Sequence, residues 1–240
     1  MLLAIDIGNS RVKAAVFDGE VLLCSSAFDA IDGNAGLSRL FAEFPRIGNV
    51  VMSSVAAQIN LPVPEGVMLH VIERDWHFPF ENLYETPETL GIDRMVLSAG
   101  AVLSFPNKNR LVVDAGTCIT YDFIDAHDRY HGGAISPGIR MRYKAMHDYT
   151  AKLPLLETEF SGNIIGGSTA ASMHAGAVGG TLAEIDAFIA RYRGNADNFI
   201  TILTGGDTDF LAGQLKNTIF ANQNFLLESL NKTFRRTRNG

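Results

Sequence analysis

The chain has 240 residues, 47% of them hydrophobic and 19% charged, and carries a formal net charge of −6. The apolar content excludes disorder as the main state, and a chain of this length buries about 70–75% of its unfolded surface, so folding needs neither metal nor disulfide. The acidic balance excludes non-specific nucleic-acid binding, which requires a basic surface.

Met1-Leu2-Leu3-Ala4-Ile5-Asp6 lacks the basic start of a secretion signal, so a cytoplasmic protein is expected. Leu2 to Ile5 reads as a buried strand ending in Asp6-Ile7-Gly8-Asn9-Ser10. Val12, Ala14 and Val16 then alternate with Arg11, Lys13 and Ala15, the period of a half-buried strand. Asp18-Gly19 predicts a tight hairpin turn and Val21 to Ser25 a third strand. This meander excludes P-loop and Rossmann sites, in which a helix directly follows the glycine-rich loop. Gly36 to Phe44 reads as a helix, and Val50 to Val55 and Val67 to Ile72 as strands. Thr86-Pro87-Glu88 resembles a helix start with Thr as cap. Ile92, Met95, Val96, Ala99, Val102 and Leu103 mark one helical face, which Pro106 ends.

The opening pattern returns in the second half. Leu111-Val112-Val113-Asp114-Ala115-Gly116-Thr117 matches Leu3-Ala4-Ile5-Asp6-Ile7-Gly8-Asn9, with an offset of 108 residues at both the aspartate and the glycine. Ile119 to Ile124 is again a strand, Asp125 to Asp128 a turn and Arg129 to Ile135 a third strand. A repeat this long implies two similar α/β domains, placed at residues 1–106 and 107–240. Helices follow over Ile139 to Tyr149 and Thr169 to Tyr192, then a strand Ile200 to Leu203, the turn Thr204-Gly205-Gly206-Asp207 and two C-terminal helices. Cys24 and Cys118 lie in apolar runs and are expected to be buried thiols. The longest uncharged stretch, Ser161 to Ala183, is too rich in glycine and hydroxyls to span a membrane.

Several residues could carry chemistry. Asp6 and Asp114 each end an apolar strand and precede a glycine turn, where a buried carboxylate is costly unless it meets a cation or donors. Each could cap its own turn, or the two loops could grip a polyphosphate and its metal across a cleft. Asp93, in Gly91-Ile92-Asp93-Arg94, stands at a helix start beside a cation. It could be a first-turn acid with a surface partner, or it could accept the proton of a substrate hydroxyl during phosphoryl transfer. Gly132-Gly133-Ala134-Ile135-Ser136-Pro137-Gly138 predicts a tight strand-to-helix turn that could wall a ligand cleft or be only a turn, and Gly166-Gly167-Ser168-Thr169 a helix start suited to a polar ligand or to plain capping. The six histidines show no metal-ligand spacing, and there is no Gly-x-Ser-x-Gly elbow.

Five of these segments, Asp6 to Ser10, Gly91 to Arg94, Asp114 to Thr117, Gly132 to Gly138 and Thr204 to Asp207, occur in the order seen in type III pantothenate kinases, which the chain resembles from residue 2 to about residue 207. The resemblance implies an α/β fold of two duplicated ribonuclease-H-like (actin-like ATPase) domains with a cleft between them. It implies ATP-dependent phosphorylation of pantothenate, the first step of coenzyme A biosynthesis. Asp93 is then the proton acceptor, and Tyr84, Gly91, Ile92, Asp93, Arg94 and Thr169 bind pantothenate. Asp6, Ile7, Gly8, Asn9, Ser10, Arg11, Val12 and Lys13, with Thr117, bind ATP, which Mg²⁺ accompanies. Asp114 binds a monovalent cation, K⁺ or NH₄⁺. The resemblance also implies a homodimer, with no nucleic-acid or membrane partner. Ser10 stands where the family usually has threonine, and Ser168 where asparagine is common. The rival readings are another small-molecule kinase or phosphatase of the same superfamily, or a non-catalytic regulatory accessory protein.

Overall fold

The computed structural model describes residues 1–8, 11–54 and 61–239. In chain order its elements are β1 (Leu2–Ile7), β2 (Arg11–Asp18), β3 (Val21–Asp29), α1 (Gly33–Glu43), β4 (Asn49–Ser54), β5 (Met68–Val71), β6 (Glu81–Asn82), α2 (Ile92–Ser104), β7 (Asn109–Ala115), β8 (Cys118–Ile124), β9 (Arg129–Pro137), α3 (Ile139–Asp148), α4 (Thr169–His174), α5 (Gly180–Arg193), β10 (Phe199–Thr204), α6 (Thr208–Ala212), β11 (Phe220–Ala221) and α7 (Phe225–Asn239). A π-helical turn, Ala175–Gly179, joins α4 to α5. Two compact units result. One is Met1–Pro106 with Asp128–Tyr130 and Asn224–Gly240; the other is Asn107–His127 with His131–Gln223.

The two units share one strand order. It is β3-β2-β1-β4-β5 in the first and β9-β8-β7-β10-β11 in the second. β1 runs antiparallel to β2 and parallel to β4, as β7 does to β8 and β10. Tight turns join β2 to β3 and β8 to β9, where Gly19 adopts φ +65° and Asp128 φ +61°. The parallel pair β1–β4 needs a longer crossover, which α1 supplies. Asp6 pairs with Lys13 but Asp114 with Thr120, so the hairpin after β7 is one residue shorter than that after β1.

In the first unit Leu3, Ile5, Ile7, Val12, Ala14, Val16, Leu37, Leu40, Val50 and Met52 form one core beneath α1. α2 and α7 pack together in the same unit, and Asn231 of α7 donates to the Gly19 carbonyl. The sequence reading placed Asn224–Gly240 in the second half, but this helix belongs to the first unit. Its apolar side chains Leu226, Leu227, Leu230 and Phe234 are buried. In the second unit Leu111, Val113, Ile119, Tyr121, Tyr143, Met173, Val178, Ile185, Ile189 and Leu203 form the core.

Other expectations are corrected locally. Thr86 starts only a 3-10 turn, Pro87–Thr89, and α2 begins after Gly91 in extended conformation. β3 runs on to Asp29. Cys118 is exposed and Cys24 partly buried, because Cys118 opens β8 on the outward side of the alternation that buries Ile119 and Tyr121. Val55 lies outside the described residues.

Candidate active site

In the first unit the end of β1 and the start of α2 bring acids together. Asp6 follows four buried residues of β1, and its Oδ1 accepts a hydrogen bond from Ser53 Oγ, 3.1 Å away on β4. Strand register causes this, since Asp6 lies opposite Ser53 on one side and Lys13 on the other. Burial pushes the Asp6 carboxyl up to about 6, and the charge of Asp93 adds to the rise, while Lys13 and the Ser53 hydroxyl oppose it. Asp93 sits in the first turn of α2, where its Oδ1 accepts the Arg94 N–H at 2.8 Å. An acid in a first turn also suits the helix dipole. Gly91 leaves room for that carboxylate: a Cβ there would push the Asp93 Oδ1 aside. Arg94 is buried and its guanidinium lies 5.8 Å from the centroid of the Tyr84 ring. Tyr84 in turn contacts Tyr130, ring to ring at 6.1 Å.

In the second unit a corresponding turn forms at the end of β7. Gly116 donates its N–H to Cys118 O, and Thr117 O accepts the N–H of Gly138, both at 3.0 Å. Gly138 admits this approach because a Cβ would collide with the carbonyls of Gly116 and Thr117. Gly205, at φ +100°, closes on Ala115 O and Asp114 Oδ1, and only glycine fits both the conformation and the space. Asp207 donates its N–H to Ala115 O at 3.0 Å and pairs with Arg140 at 3.5 Å.

The expected site residues therefore fall into two groups. Asp6, Lys13, Tyr84, Gly91, Ile92, Asp93 and Arg94 belong to the first unit, and Asp114, Thr117 and Thr169 to the second. Ile7, Val12 and Ile92 have core side chains, which leaves them only backbone atoms to offer a ligand. Arg11 is exposed and pairs with Asp29 at 3.8 Å. Asn9 and Ser10 lie outside the described residues. Thr117 and Thr169 are exposed, and Ser168 caps α4 by accepting the Ala171 N–H. The sequence reading missed Ser53, whose one signal was a hydroxyl at the end of the apolar run Val50-Val51-Met52. It also missed Glu184, which accepts from Tyr121, Ser136 and Arg142. Among the described residues no three of His, Cys, Asp and Glu gather to hold a metal ion, and no helix is long and apolar enough to cross a membrane.

Known proteins resemble this chain. A family model for type III pantothenate kinase matches residues 2–191. A type III pantothenate kinase of Flavobacterium johnsoniae is 52% identical over 237 residues, spanning 98% of this chain and 97% of its own. Among solved structures, a candidate Baf family transcriptional activator from Campylobacter jejuni superposes with a TM-score of 0.65 at 22% identity, covering 99% of this chain and 100% of its own. A candidate N-acetylmannosamine kinase from Listeria monocytogenes gives 0.54 at 14% identity over 98% and 99% of the two chains. These two likenesses concern the fold alone, a two-domain ribonuclease-H-like α/β fold. With most of its length matched by the family model and half its residues shared with a full-length relative, the chain belongs to the type III pantothenate kinase family.

Proposed function

We propose that this chain transfers the γ-phosphoryl group of ATP to the primary hydroxyl of pantothenate, with Asp93 as the proton acceptor. The observation that carries the reading is Asp93 in the first turn of α2, its carboxylate oriented by the Arg94 N–H, in a chain of the type III pantothenate kinase family. Phosphoryl transfer asks a protein mainly for positioning and charge stabilisation. Asp93 suits the first task. It is half-buried, and its carboxylate is oriented by the Arg94 N–H. From there it orients the alcohol and takes its proton as the new P–O bond forms and the bond from the γ-phosphorus to the β-phosphate oxygen breaks, releasing ADP. Arg94 and Tyr84 form one wall beside it and bind pantothenate.

Asp6, Lys13 and Thr117 bind the nucleotide, with the neighbouring backbone of the two glycine turns. Mg²⁺ fits the first of these: a buried carboxylate pushed up by burial and a second acid is one that a cation stabilises. Mg²⁺ is commonly held by one or two carboxylates together with substrate phosphates, so no larger acidic cluster is needed. When bound, it neutralises charge on the phosphates. Asp114, closed in by Gly205, supplies an anionic oxygen for K⁺ or NH₄⁺. Thr169 is the remaining pantothenate contact, by family resemblance. Leu155, Ile164 and Ile165 of the second unit are 59%, 76% and 79% exposed, apolar side chains that a second copy of the chain would cover in a homodimer.

The test is an assay of phosphopantothenate formation with pantothenate, ATP and Mg²⁺, with and without K⁺. Potassium-dependent turnover is expected. No turnover under any of these conditions, with other hydroxyl acceptors phosphorylated instead, overturns the reading in favour of a sugar-kinase-like activity. No turnover of any acceptor leaves the regulatory role suggested by the name of the Campylobacter relative.

A further inference from the structure

We infer that Glu184, on α5, is a positioning residue that sets the phosphate-binding turn at Gly116-Thr117 from outside the site; this rests on Thr117 being a nucleotide contact. One carboxylate gathers three donors from three elements. Its Oε1 accepts from Tyr121 Oη of β8 at 2.9 Å and from Ser136 Oγ of β9, and its Oε2 accepts from Arg142 of α3. Arg142 also donates through Nε to Pro137 O at 2.9 Å. Ser136 and Pro137 are thus pinned to α5, the first directly and the second through Arg142. The next residue, Gly138, donates its N–H to Thr117 O and packs against the carbonyls of Gly116 and Thr117. A continuous path of hydrogen bonds and covalent bonds runs from Glu184 to the turn.

The anchor is rigid. Glu184 is 23% exposed, and one turn further along α5 Phe188 stacks on the fully buried Tyr121 ring, with centroids 4.3 Å apart. Burial opposes ionisation of Glu184, yet the bonds from Ser136, Arg142 and Tyr121 outweigh it and hold the carboxyl below its ordinary range. A charged acceptor sharing three donors tolerates little displacement. Phosphoryl transfer is sensitive to misplacement of binding groups, so loss of this brace reaches the nucleotide without Glu184 touching it.

Glu184→Gln is the discriminating variant. It keeps the side chain's shape, but its amide nitrogen must face one of the donors. We expect amide hydrogen exchange to quicken about tenfold or more in residues 116–119 and 136–143. The KM for ATP should rise about tenfold while the KM for pantothenate stays within about twofold. Glu184→Asp should recover part of both effects. Unchanged exchange at Gly138 overturns the inference. So does an equal loss in both KM values and kcat that merely follows a fall in Tm. Should Glu184→Gln fail to fold, Ser136→Ala removes one donor only and is expected to give the same split at smaller size; an unaltered KM for ATP in that variant overturns the inference too. If the wild type phosphorylates no pantothenate, ATP affinity by calorimetry and the exchange measurement still decide the role of Glu184, while the failed turnover counts against the proposed activity alone.

Discussion

The negative charge of Asp93, in the first turn of α2, helps hold the carboxyl of Asp6, at the end of β1, up near 6. Burial is the larger cause, and Lys13 and Ser53 pull the other way without cancelling it. Two acids placed so that one resists ionisation beside the other are suited to a cation and to a reacting hydroxyl.

Replacing Asp93 by Asn tests the proton-acceptor role. The amide oxygen can still accept the Arg94 N–H, so the fold should persist. Turnover should fall about 10²–10⁴-fold, the usual contribution of a general base. Circular dichroism and steady-state kinetics check the two halves of this statement. Wild-type kcat in a folded variant would remove Asp93 from the role.

Asp6 should make stability depend on pH. Its folded pKa of about 6 exceeds its ordinary 3.8, so the folded state holds this proton more tightly than the unfolded chain does. The resulting stabilisation is fully present below about 3.8 and is lost as pH rises through 6, by at most about 3 kcal/mol. Denaturant titrations of the ligand-free protein at pH 4, 5, 6 and 7 should show the decline, and Asp6→Asn should flatten it. A parallel decline in both proteins would assign the effect to other groups.

Gly91→Ala tests the contact that shapes the Asp93 carboxylate. The backbone at Gly91, φ −61° and ψ 138°, suits alanine, so stability should change by no more than about 1 kcal/mol. The new methyl group would displace the Asp93 Oδ1. We expect kcat/KM to drop about tenfold or more. Unimpaired kinetics would mean that the observed placement of the carboxylate is not the working one.

Gly100→Ala separates helix propensity from packing. In a free helix the change stabilises by about 1 kcal/mol. Here a Cβ would overlap the Oγ and Cβ of Ser229, where α2 meets α7, and overpacking of a core typically costs about 1–3 kcal/mol. Packing should win and Tm should fall. A higher Tm would show that the two helices separate without strain.

Asp114→Asn should weaken activation by potassium while leaving the fold intact. A potassium titration of initial rates provides the measurement. An activation curve unchanged from that of the wild type would place the cation elsewhere.

Much of this molecule is written in local patterns. The alternation of Val12, Ala14 and Val16, the Asp18-Gly19 turn and the copy of the first loop at Asp114 to Thr117 each depend on neighbours within a few residues, because strand pleat and turn conformation are short-range properties. From them follow both meanders and the acids that end β1 and β7. Partners distant in the chain could not be read the same way. Ser53 reaches Asp6 across 47 positions, and Glu184 reaches Ser136 across 48. The burial of α7 against the first unit depends on faces that meet only when distant segments pack. The exposure of Cys118 turned on which side of β8 faces the core, a choice that its apolar neighbours alone left open. Periodicity tells a strand what it is; packing settles which carboxylate is buried, which neighbour shifts its proton and which glycine lets two turns touch.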